Sequence, residues 1–241
     1  MTIARYISAG DIVNRAALEV GLASVGDPFS STDPSFRQLF GLLNSGCQDL
    51  VAVAEWQQLQ KQGTIATTGT PNQYAVPADF SHFIPQTGWK SGDFQGLGGP
   101  LNPQLWAIAT GQNLASPIYI SYRETQNQFW LYPTDTAAGQ TLNYEYIRRT
   151  WVVNGSTYRD RVEANDDIVQ FEPVLVVNLL KWKFLSAKGF PSQDAKNDFL
   201  SSLSLWKGKG VSAPILSMAR GKGRNFDPLL TPANAGDTGF G

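Results

Sequence analysis

The sequence predicts an α+β protein: a helical bundle built from N- and C-terminal segments, an inserted antiparallel β domain, and an extended C-terminal tail. Three observations predict it. Near both ends, apolar residues recur every three or four positions, as on one face of a helix. Between them lie runs rich in Thr, Tyr and Gln in which apolar and polar residues alternate, as in half-buried strands. The final stretch is dense in Gly and Pro and sustains no period. These boundaries assign residues 1–62 and 165–207 to the helical domain, 63–164 to the β-rich domain and 208–241 to the arm.

The first helix is expected over 7–24, with Ile7, Ile12, Ala16, Val20 and Ala23 in line and Ser8 as its cap. A longer helix follows Thr32 or Asp33, either of which can accept its first free amides, and Pro34 suits its first turn. Leu39, Leu43, Cys47, Leu50 and Ala54 form its stripe, and Gly41 and Gly46 are expected to be close helix-packing points. From Gly63 the texture becomes strand-like. TIATT and TPNQYAVPADF lead to a hairpin made from IYISYRET and QFWLYPTD. QTLNYEYIRRTWVV is the clearest strand, with Leu142, Tyr144 and Tyr146 on one face and Asn143, Glu145 and Ile147 on the other. Four to six strands are expected in all. Residues 88–104, rich in Gly and closed by Pro100 and Pro103, read as a long mobile loop.

Two helices close the body. One spans Glu172 to Gly189 on Val176, Leu179, Leu180 and Phe184; the other runs from a Ser192 cap to Trp206 on Ala195, Phe199, Leu200 and Leu203. The arm beyond them carries PILSM and PLL, apolar anchors that suit a segment lying along a neighbouring subunit.

Only 16% of residues are charged, which fits a protein that hides surface against neighbours. No apolar run approaches the length of a bilayer crossing, so no membrane insertion is expected, and the N-terminus does not read as a secretory signal. The net charge of -1 is unevenly spread: residues 181–224 hold nine basic side chains against two acids. That polarity singles out Trp182, Lys183, Lys188, Trp206, Lys207, Lys209, Ile215, Leu216, Met218, Arg220, Lys222 and Arg224 as interface residues. Non-specific contact of the basic residues with DNA phosphates is compatible with flexible supports.

Signals for chemistry are sparse. One histidine, His82, and one cysteine, Cys47, leave no cysteine–histidine pair arranged by sequence and too few ligands for the usual zinc site. The cluster Asp160, Glu163, Asp166 and Asp167 lacks calcium-loop spacing, and Asp166 or Asp167 is expected to cap the turn or helix leading to Pro173. No catalytic, cofactor or metal residue is assigned. A paired-carboxylate hydrolase, with Asp79 or Glu124 set against Glu145, is the alternative because such pairs leave no local signature. A third reading places sugar on Trp130, Tyr132, Tyr144, Tyr146 and Trp151, against their use in sheet packing.

Taken in order, IVNRAALEVGLASVGDP, LLNSGCQDLVAVAEW, YAVPADF, the PIYISY…FWLYP hairpin, LNYEYIRR and NDDIVQFEPVLVVNLLKWKFLSAKGFP resemble the head-to-tail connectors, or portal adaptors, of tailed bacteriophages. The resemblance covers roughly residues 7–206. It implies a homo-oligomeric ring of twelve copies beneath the phage portal protein, joined to a tail or nozzle protein, with a central channel for DNA. It also implies a place at the head–tail interface of the virion, and in the host cytoplasm during assembly. The family shares no catalytic residues to carry over and calls for no cofactor.

Overall fold

The computed structural model describes residues 5–69, 72–84, 87–92, 96–111, 120–133 and 138–210. The mix is α+β, as expected. Helix α1 is Ala9–Glu19, capped by Ser8, whose Oγ accepts from the Asp11 amide at 3.1 Å. It stops short of the expected end for a visible reason. The Asn14 side chain accepts from the amide of Val25 and donates to its carbonyl, folding residues 20–25 back as a turn. Helix α2 is Pro34–Val53, with Asp33 accepting from the Ser35 amide and Pro34 in the first turn. Helices α4, Pro173–Ala187, and α5, Gln193–Gly210, close the body, separated from α2 in sequence by the short α3, Pro103–Gly111.

Helices α1, α2, α4 and α5 share one core. Ile12, Leu39, Leu43, Cys47, Leu50, Val176, Leu179, Leu180 and Phe184 are all buried in it. Gly46 permits the close approach of α2 to α4, since a β-carbon there would meet Leu179 Cδ2 at 2.7 Å. Gly41 does not share that role: its missing side chain would stand in open space. Leu200 departs from its expected stripe too, and is exposed. Trp206 ends no helix, because α5 continues through Lys209 to Gly210.

The described strands number ten, more than expected, in three small antiparallel sheets. Strands β1 (Gln60–Ala66), β3 (Phe80–Phe83) and β4 (Trp89–Lys90) flank β7 (Thr141–Arg148), while β2 (Gln73–Ala75) and β5 (Ser121–Thr125) flank β6 (Gln128–Tyr132). The turn joining β5 to β6 falls on Gln126 and Asn127, both at positive φ, the backbone that a tight hairpin requires. These two sheets enclose a second core of Ile65, Tyr122, Phe129, Leu131, Leu142, Tyr144 and Tyr146. Tyr144 lies across Gly63, its cross-strand partner, so closely that a β-carbon would fall 2.4 Å from the ring.

The alternation along β7 connects the two cores. Leu142, Tyr144 and Tyr146 face the sandwich, whereas Ile147 joins the helical core. The third sheet, β8 (Val152–Asn154), β9 (Thr157–Arg159) and β10 (Ile168–Val169), is built on that helical side. Trp151, Val152, Val169 and Phe171 pack among the helices. Within the Gly-rich stretch, the described residues 98–101 run along β5: Gly98 donates to the Ile120 carbonyl and Leu101 to that of Tyr122, so these donors find acceptors on the open strand edge.

Candidate functional site

Carboxylates, the histidine and the thiol are placed as structural parts. Cys47 is fully buried on α2, and burial pushes its thiol well above the usual range. His82 sits on the edge strand β3 beside Ser81 Oγ at 3.1 Å, and partial burial lowers its pKa. Asp79 accepts from Lys61 Nζ at 2.8 Å and Tyr146 Oη at 2.7 Å; those bonds outweigh its burial and hold its carboxyl below the usual range. Glu124 shares the face of β5 that carries Tyr122, and Glu145 lies on the face of β7 opposite Tyr144, so this candidate acid pair diverges. Among the described residues no group of three or more His, Cys, Asp or Glu is placed to hold a metal ion.

Asp167 caps a turn, one of the two roles its place in the sequence allowed. Its carboxylate is buried beneath the β8–β9 hairpin, where Oδ2 accepts from the amides of Glu163 and Ala164 at 2.7 and 2.9 Å. Oδ1 accepts from Asn154 Nδ2 at 2.9 Å and Arg159 Nη1 at 3.3 Å. Burial alone would raise its pKa, but these four donors prevail and hold it below the usual range. It therefore closes the 163–167 turn and does not cap α4. The backbone carbonyls of Asp167 and Asn165 accept from Ala9 and Gly10, which seats the start of α1 on the same turn. Most of the aromatic platform is consumed in packing: Tyr132, Tyr144, Tyr146 and Trp151 are buried, with Trp151 against Phe171, while Trp130 is half-buried.

Of the twelve residues singled out for contact with partners, the six described ones lie along α4 and α5 or at the end of α4, and these six do not gather into one patch. Trp182 stacks on Phe199 at 5.4 Å, and Lys196 Nζ also lies over its ring, so it holds α5 to α4. Lys183 reaches Asp49 of α2 at 2.7 Å. Lys188, at the end of α4, lies over Phe184; Lys207 and Lys209 occupy the last turn of α5, with Lys209 over Trp206. Since α5 rises about 1.5 Å per residue, the two basic ends stand roughly 20 Å apart. Cations in its last turn also suit the negative end of the helix dipole. Ile215, Leu216, Met218, Arg220, Lys222 and Arg224 fall outside the described residues. Several apolar side chains are left in water: Leu18 on α1, Val174 on α4, Leu205 on α5 and Phe190 in the connection between α4 and α5 lie off the expected stripes, and Leu200, expected on one, is exposed as well.

With that surface mapped, the match to known families is informative. A family model described as SU10 adaptor protein matches residues 7–210, from just before α1 to the end of α5. The chain belongs to the SU10 adaptor protein family. Its members are bacteriophage structural adaptors, and the match takes in every helix and sheet described above. No curated protein matches the chain in sequence. No described helix is long and apolar enough to cross a membrane.

Proposed function

We propose that this adaptor closes into a ring beneath the portal protein of a tailed phage and joins it to the tail or nozzle protein. DNA would pass through its central channel. The observation that carries the reading is the family match across residues 7–210, which spans both cores at once. The sparse charge supports it, because a subunit enclosed by neighbours needs less polar surface. A closed ring requires two different, complementary faces on each copy. The body offers apolar side chains on different helices for that purpose: Leu18 on α1, Val174 on α4, and Leu200 and Leu205 on α5. In this reading the ring holds twelve copies, assembled in the host cytoplasm and retained at the head–tail interface of the virion. The basic group Lys207, Lys209, Arg220, Lys222 and Arg224 is then the docking end toward the portal, with contact to DNA phosphates along the channel. The helical segments 1–62 and 165–207 form the ring body, and the sandwich of the β-rich insert 63–164 projects from it, while Ile147, Trp151 and Val152 of the insert root it in the helical core.

The test is the mass of the purified chain in solution, alone and mixed with purified portal protein. A single closed stoichiometry on the portal is expected. A chain that stays monomeric and leaves the portal's mass unchanged would sink the reading.

A further inference from the structure

Strand β1 carries a row of backbone groups that no described residue uses. On β7, its pairing strand, Thr141 and Glu145 turn their carbonyls the other way, to the amides of Ser91 and Ile84. Their cross-strand partners on β1 are Ala66 and Gln62. In an antiparallel ladder such pairs exchange no bonds with each other, so Gln62, Thr64 and Ala66 aim their amides and carbonyls away from β7. Lys61, Gly63 and Ile65 make the ladder bonds. Among the described residues no strand lies on that outer side, and those three amides have no hydrogen-bond acceptor. Gln62, Thr64 and Ala66 are all exposed.

The other sheet edges are blunted, and this one is not. Strands β2, β4, β9 and β10 have only two or three residues, β3 shifts register between Phe80 and His82, and β5 is covered by residues 98–101. Strand β1 runs seven residues in unbroken register. Its one charge, Lys61, is held by Asp79 at 2.8 Å and does not guard the edge.

We propose, resting on the adaptor reading, that this edge docks an extended segment of a protein that the adaptor joins, adding a strand to the four-stranded sheet. A row of alternating donors and acceptors is matched by another extended backbone about 4.8 Å away, and not by a helix face or a nucleic acid. Side chains set the rest of its chemistry. Gln62, Thr64 and Ala66 line the exposed face and Ile65 the face of the second core, so the segment that fits is uncharged and alternates polar with apolar residues. A second copy fits less well. One β1 set against another makes a twofold contact, which closes at two and cannot run around a ring. Seven paired residues alone also bury far less than the roughly 1,000 Å² that a stable pair needs. A segment of a protein seated elsewhere on the adaptor escapes that limit, since its tether supplies the effective concentration.

Amide hydrogen exchange read residue by residue tests this on the full chain, with purified portal protein and purified tail or nozzle protein added in turn. In the free chain the amides of Gln62, Thr64 and Ala66 are expected to exchange about tenfold faster, or more, than those of Lys61, Gly63 and Ile65. One of the two partners is expected to slow the three fast amides by about the same factor and to leave their neighbours unchanged. Thr64→Pro removes an outward donor without costing a ladder bond, and is expected to weaken that partner's binding about tenfold. Thr64→Ala, which keeps the amide, is expected to bind as the parent does. The exchange pattern needs no variant, so it decides even where the proline chain fails to fold. Binding with the three amides still fast overturns the proposal, as does failure of both proteins to bind. Slowing that appears when copies assemble without a partner also overturns it, by giving the strand to a second copy. Mass on the portal is measured separately: a ring that forms there while the three amides stay fast sinks this inference alone, and a portal of unchanged mass sinks the adaptor reading.

Discussion

Replacing Asp167 with Asn keeps the shape of the side chain and removes its charge. Both carboxylate oxygens are in use: one accepts two backbone amides, the other two side-chain donors. An amide can offer its oxygen to only one of these pairs and turns an NH2 group toward the other. Two buried donors then lose their acceptor, at about 1–3 kcal/mol each, so roughly 3 kcal/mol of stability is expected to go. For a chain of this size that is a fall in Tm of roughly 6–12 °C. Urea unfolding at pH 7 measures it, with the exposed neighbour Asp166→Asn as control, expected within about 0.5 kcal/mol of the parent. The pH dependence adds a second check. The folded-state pKa of Asp167 is depressed, so its contribution is present above the ordinary carboxylate range and lost as pH falls through the folded value. The gap between parent and variant should narrow in acid. A variant as stable as the parent at pH 7, or a gap independent of pH, would refute the claim that this carboxylate holds the turn and the start of α1.

Further outcomes follow from the packing. Gly41→Ala should stabilise α2 by about 0.5–1 kcal/mol through helix propensity, whereas Gly46→Ala should destabilise by about 1–2 kcal/mol because Leu179 must shift; paired urea curves distinguish them. Trp151→Ala, at a fully buried site between the third sheet and the helices, should cost about 3–5 kcal/mol by the same method. Tyr146→Phe removes a donor to Asp79 and should raise that carboxyl's pKa, visible as a shifted titration of its carboxyl carbon in NMR.

The helices were legible because their signals are local. Ser8, Asp33 and Pro34 mark starts within one turn, and the spacing from Leu39 to Leu50 states which face is buried. The hairpin and β7 were legible because five to eight residues suffice to show alternation. The third sheet was not, since strands of two or three residues have no period to read and Trp151 could serve either core. The place of Asp167 depends on donors from Asn154 and Arg159, which only the folded hairpin brings near. The basic interface residues were chosen by charge, and charge alone says nothing of the distance between the two ends of α5. The stacking of Trp182 on Phe199 was not legible, because it depends on the antiparallel pairing of α4 and α5.

The path of the chain through β1 and β7 has a consequence for how the sandwich can be exchanged. The polypeptide enters the sandwich along β1 and leaves it along β7, and these strands pair over seven positions, from Gln60 opposite Ile147 to Ala66 opposite Thr141. Entrance and exit are thus neighbours, with Cα atoms about 5 Å apart at the first pair. A short turn can bridge such a gap, so the intervening residues can be lengthened, shortened or replaced by a foreign hairpin without redirecting the helices. Variation in what the sandwich touches is therefore separable from the geometry of the body that carries it.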